Sequence, residues 1–311
     1  MAHKYNLIIV YLPKSQNIAD FIIIRNMMLS RAPDIEVHIL AHEAQVPASF
    51  WQQAANRPSL IFCPVAIPIE PTARGTRLVG KRRTKAGEIK LLTEAGFPVP
   101  RTIMMRPDIT LDERDWGPFI VLKPNRGRGG KGIRLVRTRD AKWIDPNSWP
   151  ADDPRHGYDM LAQQYVYSGP YPRSYRVFTV LGKAIFAHTS TATQPISLPH
   201  PDGADPVDLD VTSNGVERKL QLNNEADAIA LAQNIHAKLP DIPTMGLDLL
   251  REDKTGKLFV IEMNSTGFTW QLSSNVGLGH QYQYGLDYYG QFNALDTIAA
   301  ALIDHTRRLA S

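Results

Sequence analysis

Sulfur chemistry is almost absent from this chain. Its single cysteine, Cys63, excludes an intrachain disulfide, a thiolate metal cluster and a C-x-x-C redox pair, and points to a reducing cytoplasm. The sequence has neither H-E-x-x-H nor G-x-S-x-G, so a zinc-protease helix and a nucleophile elbow are both excluded. Its nine histidines show no ligand spacing. Charge of one sign is also lacking. Lys+Arg 35 against Asp+Glu 31 leaves +4, a mild excess that suits a small anionic substrate and forms no stripe for nucleic acid. No apolar run approaches the ~20 residues that cross a bilayer, and the first apolar stretch is too short for a secretory leader, so no membrane partner is expected. What remains is an ordinary globular composition, 43% hydrophobic and 21% charged over 311 residues, enough for a sizeable core and about two or three domains. Composition leaves oligomeric state open, a homo-oligomer included.

The first 63 residues alternate strand and helix patterns. Residues 7–11, 36–41 and 60–63 are short β-branched runs, and residues 18–29 and 48–56 carry helical spacing. Such alternation predicts right-handed crossovers and a small parallel sheet. No glycine fingerprint follows the first strand, so this unit is expected to bind substrate or act as a scaffold, not to hold a nucleotide. Residues 64–83 are proline-rich, then basic, with Arg74, Arg77, Lys81, Arg82 and Arg83. They read as a solvated linker, with an anion site as the alternative. Residues 84–94 predict a helix that ends at Gly96 with Pro98 beyond it.

The densest signal lies in residues 118–137, PFIVLKPNRGRGGKGIRLVR. An apolar strand over residues 119–122 delivers Lys123, and a loop follows in which Arg126, Gly127, Arg128, Gly129, Gly130, Lys131 and Gly132 mix cations with glycines. Glycines let backbone amides approach a ligand closely while cations surround it, which is how a loop holds phosphate. The G-x-G-x-x-G here opens a second strand at Ile133, Leu135 and Val136, whereas a dinucleotide fingerprint opens a helix. Gly132 stands where a P-loop requires Ser or Thr. The unit is therefore strand, flap, strand, the arrangement that covers phosphates in phosphoryl transfer.

A second signal comes late, in MGLDLLREDKTGKLFVIEMNSTG. Residues 247–250 and 258–263 predict an antiparallel hairpin around a polar turn at residues 252–257. Alternation sets Glu262 and Asn264 on one face, and a suitable register sets Asp248 opposite Glu262. Two carboxylates facing each other at about 4 Å repel by roughly 4 kcal/mol at an effective dielectric near 20, and a divalent cation reverses that sign. An all-oxygen set of Asp248, Glu262 and Asn264 suits Mg²⁺, which shares its other positions with phosphate oxygens and water.

Taken together and in this order, the motifs between Lys85 and Asn264 resemble the ATP-grasp family, in particular its ribosomal-protein glutamate ligase and glutathione synthetase-like branch. Lys85 with LLTEAGFPVP, and Lys123 in VLKP with the glycine loop behind it, resemble the family's two lysines and flap. Gln163, Gln164, Tyr165 and Val166 resemble the hinge whose main chain holds adenine, with the Gln164 carbonyl and Val166 amide as the expected contacts. Arg176 in SYRVFTVLGK matches the family's catalytic arginine, and Ser174 stands where a carboxylate commonly holds ribose. Asn214 and Arg218 fall where that branch holds substrate. The resemblance implies an ATP-grasp fold of mixed α/β and α+β class: an N-terminal α/β domain with basic linker over residues 1–84, a subdomain with the flap over 85–166, and a C-terminal subdomain with the metal site over 167–311. It implies ATP and Mg²⁺, with Mn²⁺ as a second candidate, and a carboxylate–amine ligase that joins a carboxylate to an amine acceptor, free, peptide or protein. A phosphotransferase acting on a polyanion and a non-catalytic nucleotide-binding module are the alternatives.

Overall fold

The structure is a computed structural model that describes residues 3–69, 74–127, 129–210, 217–265 and 270–311. The chain begins with β1 (Tyr5–Tyr11), α1 (Ile18–Arg31), β2 (Ile35–Ala41), α2 (Ala48–Ala54), β3 (Ser59–Cys63) and β4 (Thr76–Val79). It continues through α3 (Lys85–Glu94), β5 (Thr102–Met104), α4 (Glu113–Trp116), β6 (Phe119–Pro124), β7 (Arg134–Arg137) and β8 (Met160–Gln164). The remainder is β9 (Arg173–Val180), β10 (Lys183–Ala192), β11 (Asp208–Leu209), β12 (Arg218–Leu222), α5 (Ala226–Lys238), β13 (Thr244–Arg251), β14 (Leu258–Asn264), α6 (Asn275–Tyr284) and α7 (Ala294–Leu309).

These strands form three sheets. The first has the order β2-β1-β3-β4 and is parallel throughout. The fourth strand corrects the linker expectation. Leu78 is buried, β4 pairs in parallel with β3, and Gly80 N donates to Cys63 O at 2.9 Å. A four-residue edge strand among arginines leaves too little apolar pattern to be seen in sequence. The second sheet, β11-β7-β6-β8-β5, is antiparallel and carries the flap between β6 and β7. The third, β12-β10-β9-β13-β14, is also antiparallel.

The two faces of the third sheet do different work. Tyr175 and Val177 point to α5 and pack on Ala228, Ala232 and Ile235. On the other face Phe178, Val180 and Phe186 share one core with α1, α7, the first sheet and Trp270. The last helix therefore closes against the N-terminal unit as well as the C-terminal one. A tight turn joins β9 to β10. Leu181 (φ 48°) and Gly182 (φ 83°) are its central residues, and Lys183 already pairs with Val180. Both positive φ values fit the tight turn that matches strand twist. Leu181 tolerates the strained region because its side chain is buried in the shared core.

Candidate active site

The upper half of that second face of the third sheet lines a cavity of about 460 Å³, and the second sheet with its flap forms the opposite wall. Cross-strand pairing builds a single row across four strands: Glu262 opposite Asp248, Asp248 opposite Arg176, Arg176 opposite His188. A β-bulge next to Asp248 pairs Leu249 with Val260 and so leaves Ile261 as the extra residue. Bulges re-aim side chains and free backbone groups near sites. Here the Ile261 carbonyl accepts from Lys123 Nζ at 3.1 Å.

Every charge in the row has a partner. Arg176 donates from Nε to Asp248 Oδ1 at 2.5 Å and from Nη2 to Oδ2 at 2.8 Å, a bidentate fork. Lys85 Nζ donates to Glu262 Oε1 at 3.0 Å and to the Gly127 carbonyl at 3.2 Å, tying the start of the flap to the hairpin. Lys85 is placed by α3, whose cap is Thr84 accepting from Gly87 N at 3.1 Å. Lys123 is 4% exposed and also donates to Gln163 Oε1 at 2.9 Å. Gln163 is held in turn by its Nε2 donating to Thr102 Oγ1 at 2.9 Å. Asn264 Nδ2 lies 3.4 Å from Asp248 Oδ2, within reach of both carboxylates' row.

The titration of these groups follows from burial and neighbours. Burial pushes the Lys123 amine down to about 8, against the pull of Glu262. Glu88, on the buried side of α3, is pushed up to about 8 by burial and then by the Glu262 charge. Burial also raises Asp248 above the usual carboxylate range despite Arg176. Burial works on Glu262 in the same sense, but the Lys85, Lys123 and Arg176 charges outweigh it and hold Glu262 below that range. His188 is driven well below the usual imidazole range by burial, then by Arg176, His280 and Arg218. Its Nδ1 pairs with the Tyr288 hydroxyl at 2.8 Å.

The structure brings the sequence-derived candidates together. Lys85, Lys123, Arg126, Gly127, Gly129, Gly130 and Lys131 line one end of the cavity. Gln163, Gln164, Tyr165 and Val166 line its edge, and Ser174, Arg176, Arg218, Asp248, Glu262 and Asn264 line its floor. Gly132 sits behind the flap. Its φ is +75°, and a Cβ there would lie 2.9 Å from Arg155 Cγ and 3.2 Å from Pro124 Cγ, so glycine is required for the return into β7. Arg128 and Asn214 lie outside the described residues, as do Thr266 and Gly267. Sequence reading missed Glu88, His188, Ser190, Gln271 and His280. Only the register of β10 against β9 places His188 beside Arg176, and no local motif marks it.

Asp248, Glu262 and Asn264 can hold a metal ion. Among the described residues no group of three His, Cys, Asp or Glu side chains has metal-binding geometry; Asp248 and Glu262 with the Asn264 side-chain amide would make a set of two carboxylates and one amide oxygen. That sparse, hard-oxygen set fits Mg²⁺ better than a cation needing a full protein cage.

A parallel α/β unit joined to two antiparallel lobes that face each other across a charged cleft defines a clasp architecture. The family model described as an ATP-grasp domain matches residues 83–267, more than half of the chain, and the chain belongs to that family. Among solved structures, the ATP-grasp ligase PsnB complexed with minimal precursor is similar at 16% identity and a TM-score of 0.52, covering 96% of this chain and 99% of that one. PsnB complexed with precursor peptide PsnA2 and AMPPNP is similar at 15% identity and a TM-score of 0.51, covering 97% and 98%. These likenesses show the fold. No curated protein sequence matches the chain. No helix among the described residues is long and apolar enough to cross a membrane.

Proposed function

We propose that the protein is an ATP- and Mg²⁺-dependent carboxylate–amine ligase that forms an amide or peptide bond through an acyl phosphate. The observation that carries this reading is the row Glu262–Asp248–Arg176, met by Lys85 from α3 and by Lys123 from the second sheet in one cavity. Hinge residues Gln163 to Val166 would seat the adenine and Ser174 the ribose. Lys85, Lys123, Arg176 and the flap cations would neutralise the phosphates, and the flap would exclude water. Mg²⁺ held by Asp248, Glu262 and Asn264 would offset charge on the phosphate oxygens; Mn²⁺ suits the same donors.

The substrate carboxylate oxygen would attack the γ-phosphorus, breaking its bond to the bridging oxygen and releasing ADP. The amine nitrogen would then attack the acyl carbon and lose a proton, and the C–O bond to phosphate would break, releasing inorganic phosphate. No protein nucleophile takes part, because orientation and charge stabilisation supply the rate. Residues 1–84, 85–166 and 167–311 are the proposed units, in a cytoplasmic protein.

A phosphotransferase is the second reading. It is favoured by the basic segment, since Lys81 N donates to Ser265 O at 3.0 Å and Ser265 Oγ to Lys81 O at 2.8 Å, immediately after Asn264. The test is mass spectrometry of pooled metabolites and a peptide library incubated with ATP, Mg²⁺ and native protein or Glu262→Gln. A species equal to two substrates less water, formed with ADP and only by native protein, supports the ligase. A species that gains only a phosphoryl group replaces it with the kinase, and equal turnover by Glu262→Gln removes the metal assignment.

A further inference from the structure

The row of side chains across the third sheet has a fourth member that the nucleotide reading does not use. Cross-strand pairing runs from Glu262 to Asp248, Arg176 and His188, so all four project from one face, and all four line the cavity. Neighbouring strands lie roughly 5 Å apart, which sets His188 roughly 10 Å from Asp248 with Arg176 between them. In the proposed reading the adenine sits at the hinge and the phosphates among Lys85, Lys123 and the metal pair. The part of the row left for the acyl group of an acyl phosphate is then Arg176 and His188.

The imidazole is fixed before any ligand arrives. It lies nearly parallel to the Tyr288 ring, with centroids 5.6 Å apart and 20° between planes, and Tyr288 stacks in turn on Phe186 at 4.2 Å. His280 meets it edge-on at 6.0 Å. Its Nδ1 is 2.8 Å from the Tyr288 hydroxyl, and the direction of that bond follows from the tyrosine. Tyr288 is fully buried, and among the described residues Nδ1 is the one partner its hydroxyl has. A buried O–H without an acceptor is costly, so the hydroxyl donates and Nδ1 accepts. Burial holds the Tyr288 hydroxyl above its ordinary pKa, so it keeps its proton. Burial, then Arg176, His280 and Arg218, keep His188 neutral. The single proton of a neutral imidazole whose Nδ1 accepts stands on Nε2. The ring nitrogen left for a ligand is therefore an N–H and not a lone pair.

A neutral N–H donor suits an oxygen that gains negative charge during reaction. It adds no cation to the ground state, it does not surrender its proton, and its effect is large where water is excluded. We infer that His188 is a catalytic residue for acyl transfer, its Nε2–H donating to the acyl oxygen as that oxygen becomes an oxyanion, with Tyr288 as the positioning residue that fixes the tautomer. The inference rests on the proposed ligase reading. In this step the amine lone pair forms the C–N bond while the carbonyl π pair moves onto oxygen beside His188 and Arg176. That pair then re-forms the C=O bond, the C–O bond to phosphate breaks, and phosphate leaves with the bonding pair and takes the amine proton. His188 ends the step with the proton it began with.

The test has two arms, both on the full chain. The first needs no substrate. With ¹⁵N-labelled histidine, long-range proton–nitrogen couplings at pH 7 should show His188 with a bare Nδ1 and a protonated Nε2, and Tyr288→Phe should lose that preference. An Nδ1–H tautomer or a charged ring overturns the inference. The second arm uses the carboxylate and amine that the pooled mass-spectrometric screen identifies. Scrambling of ¹⁸O from the β,γ-bridge of ATP, with the carboxylate and no amine, reads acyl-phosphate formation, and amide release reads the whole reaction. The ratio of scrambling to amide release should rise about a hundredfold in His188→Leu, the loss expected for one oxyanion donor. It should rise about tenfold in Tyr288→Phe and stay within about fivefold of native in His188→Gln, whose side-chain N–H restores a donor. AMPPNP affinity reports whether each variant has folded, and if His188→Leu fails that check the other two variants decide. A native ratio in folded His188→Leu, or in Tyr288→Phe when His188→Leu does not fold, overturns the inference and leaves the ligase standing. Native protein that forms no amide removes the ligase reading and this inference together.

Discussion

Lys123→Met separates what the buried lysine does for binding from what it does to the fold. Lys123 is 4% exposed, yet among the described residues its acceptors are two neutral oxygens, Gln163 Oε1 and the Ile261 carbonyl. Burial lowers its amine from 10.5 to about 8. Between these values the unfolded chain keeps the proton that the folded protein releases, so this group makes stability rise with pH across that window. The 2.5-unit difference corresponds to roughly 3 kcal/mol across the window, and to about 1 kcal/mol between pH 7 and 9. Methionine keeps the length and removes the titration. Urea unfolding at pH 7, 8 and 9 should therefore show the wild type gaining about 1 kcal/mol relative to the variant as pH rises. Calorimetry with ATP should show at least tenfold weaker binding by the variant, the loss expected for a charged contact of ~1.5–3 kcal/mol. Parallel stability curves would refute the burial argument, and unchanged ATP affinity would remove Lys123 from the phosphate site.

Glu88 produces the opposite slope. Its carboxyl is pushed from 4.5 to about 8, so the folded state holds an extra proton through that interval and stability falls as pH rises through it. Glu88→Gln should be more stable than wild type at pH 8 by roughly 4 kcal/mol and nearly equal to it near pH 4.5, read by thermal melts; equal melting temperatures at both values would sink the idea. Asp20→Asn replaces an acceptor that takes bonds from Trp270 Nε1, Ser273 Oγ and the Tyr289 hydroxyl. It should destabilise by about 2–4 kcal/mol in urea followed by tryptophan fluorescence, because the amide turns one of those contacts into donor against donor; a loss under about 0.5 kcal/mol would contradict it.

Legibility in sequence followed the range of the interaction. The β13–β14 hairpin was readable because its strands are adjacent and a period of two fixes which residues share a face, and the structure pairs Asp248 with Glu262 as that pattern requires. The flap was readable because glycines and cations are consecutive. By contrast β4 is four residues among arginines, and its strand character comes from pairing with β3 and from burial of Leu78. Glu88 looked like an ordinary helix surface residue. It is buried because α3 lies against β14, a contact between segments some 170 residues apart. His188, Ser190, Gln271 and His280 meet only after β10, α6 and the loop at Trp270 have docked, and each is unremarkable in its own stretch.

The charges of the site are answered both within the third-sheet lobe and across the cleft. The third sheet sets Asp248 opposite Glu262 in a poorly solvated row, where like charges repel. Arg176 on the same sheet answers Asp248, but the cation that answers Glu262 is Lys85, from α3. The second sheet carries the converse imbalance in Lys123, buried against neutral oxygens, one of them freed by the bulge at Ile261 on the third sheet. The third sheet thus supplies an acceptor to the second sheet's buried charge, and Lys123, which would handle phosphate, is one of the residues joining the two. On the proposed function, bound phosphate and Mg²⁺ would take over both sets of partners, so that the contacts holding the lobes together without substrate are the ones available to hold it.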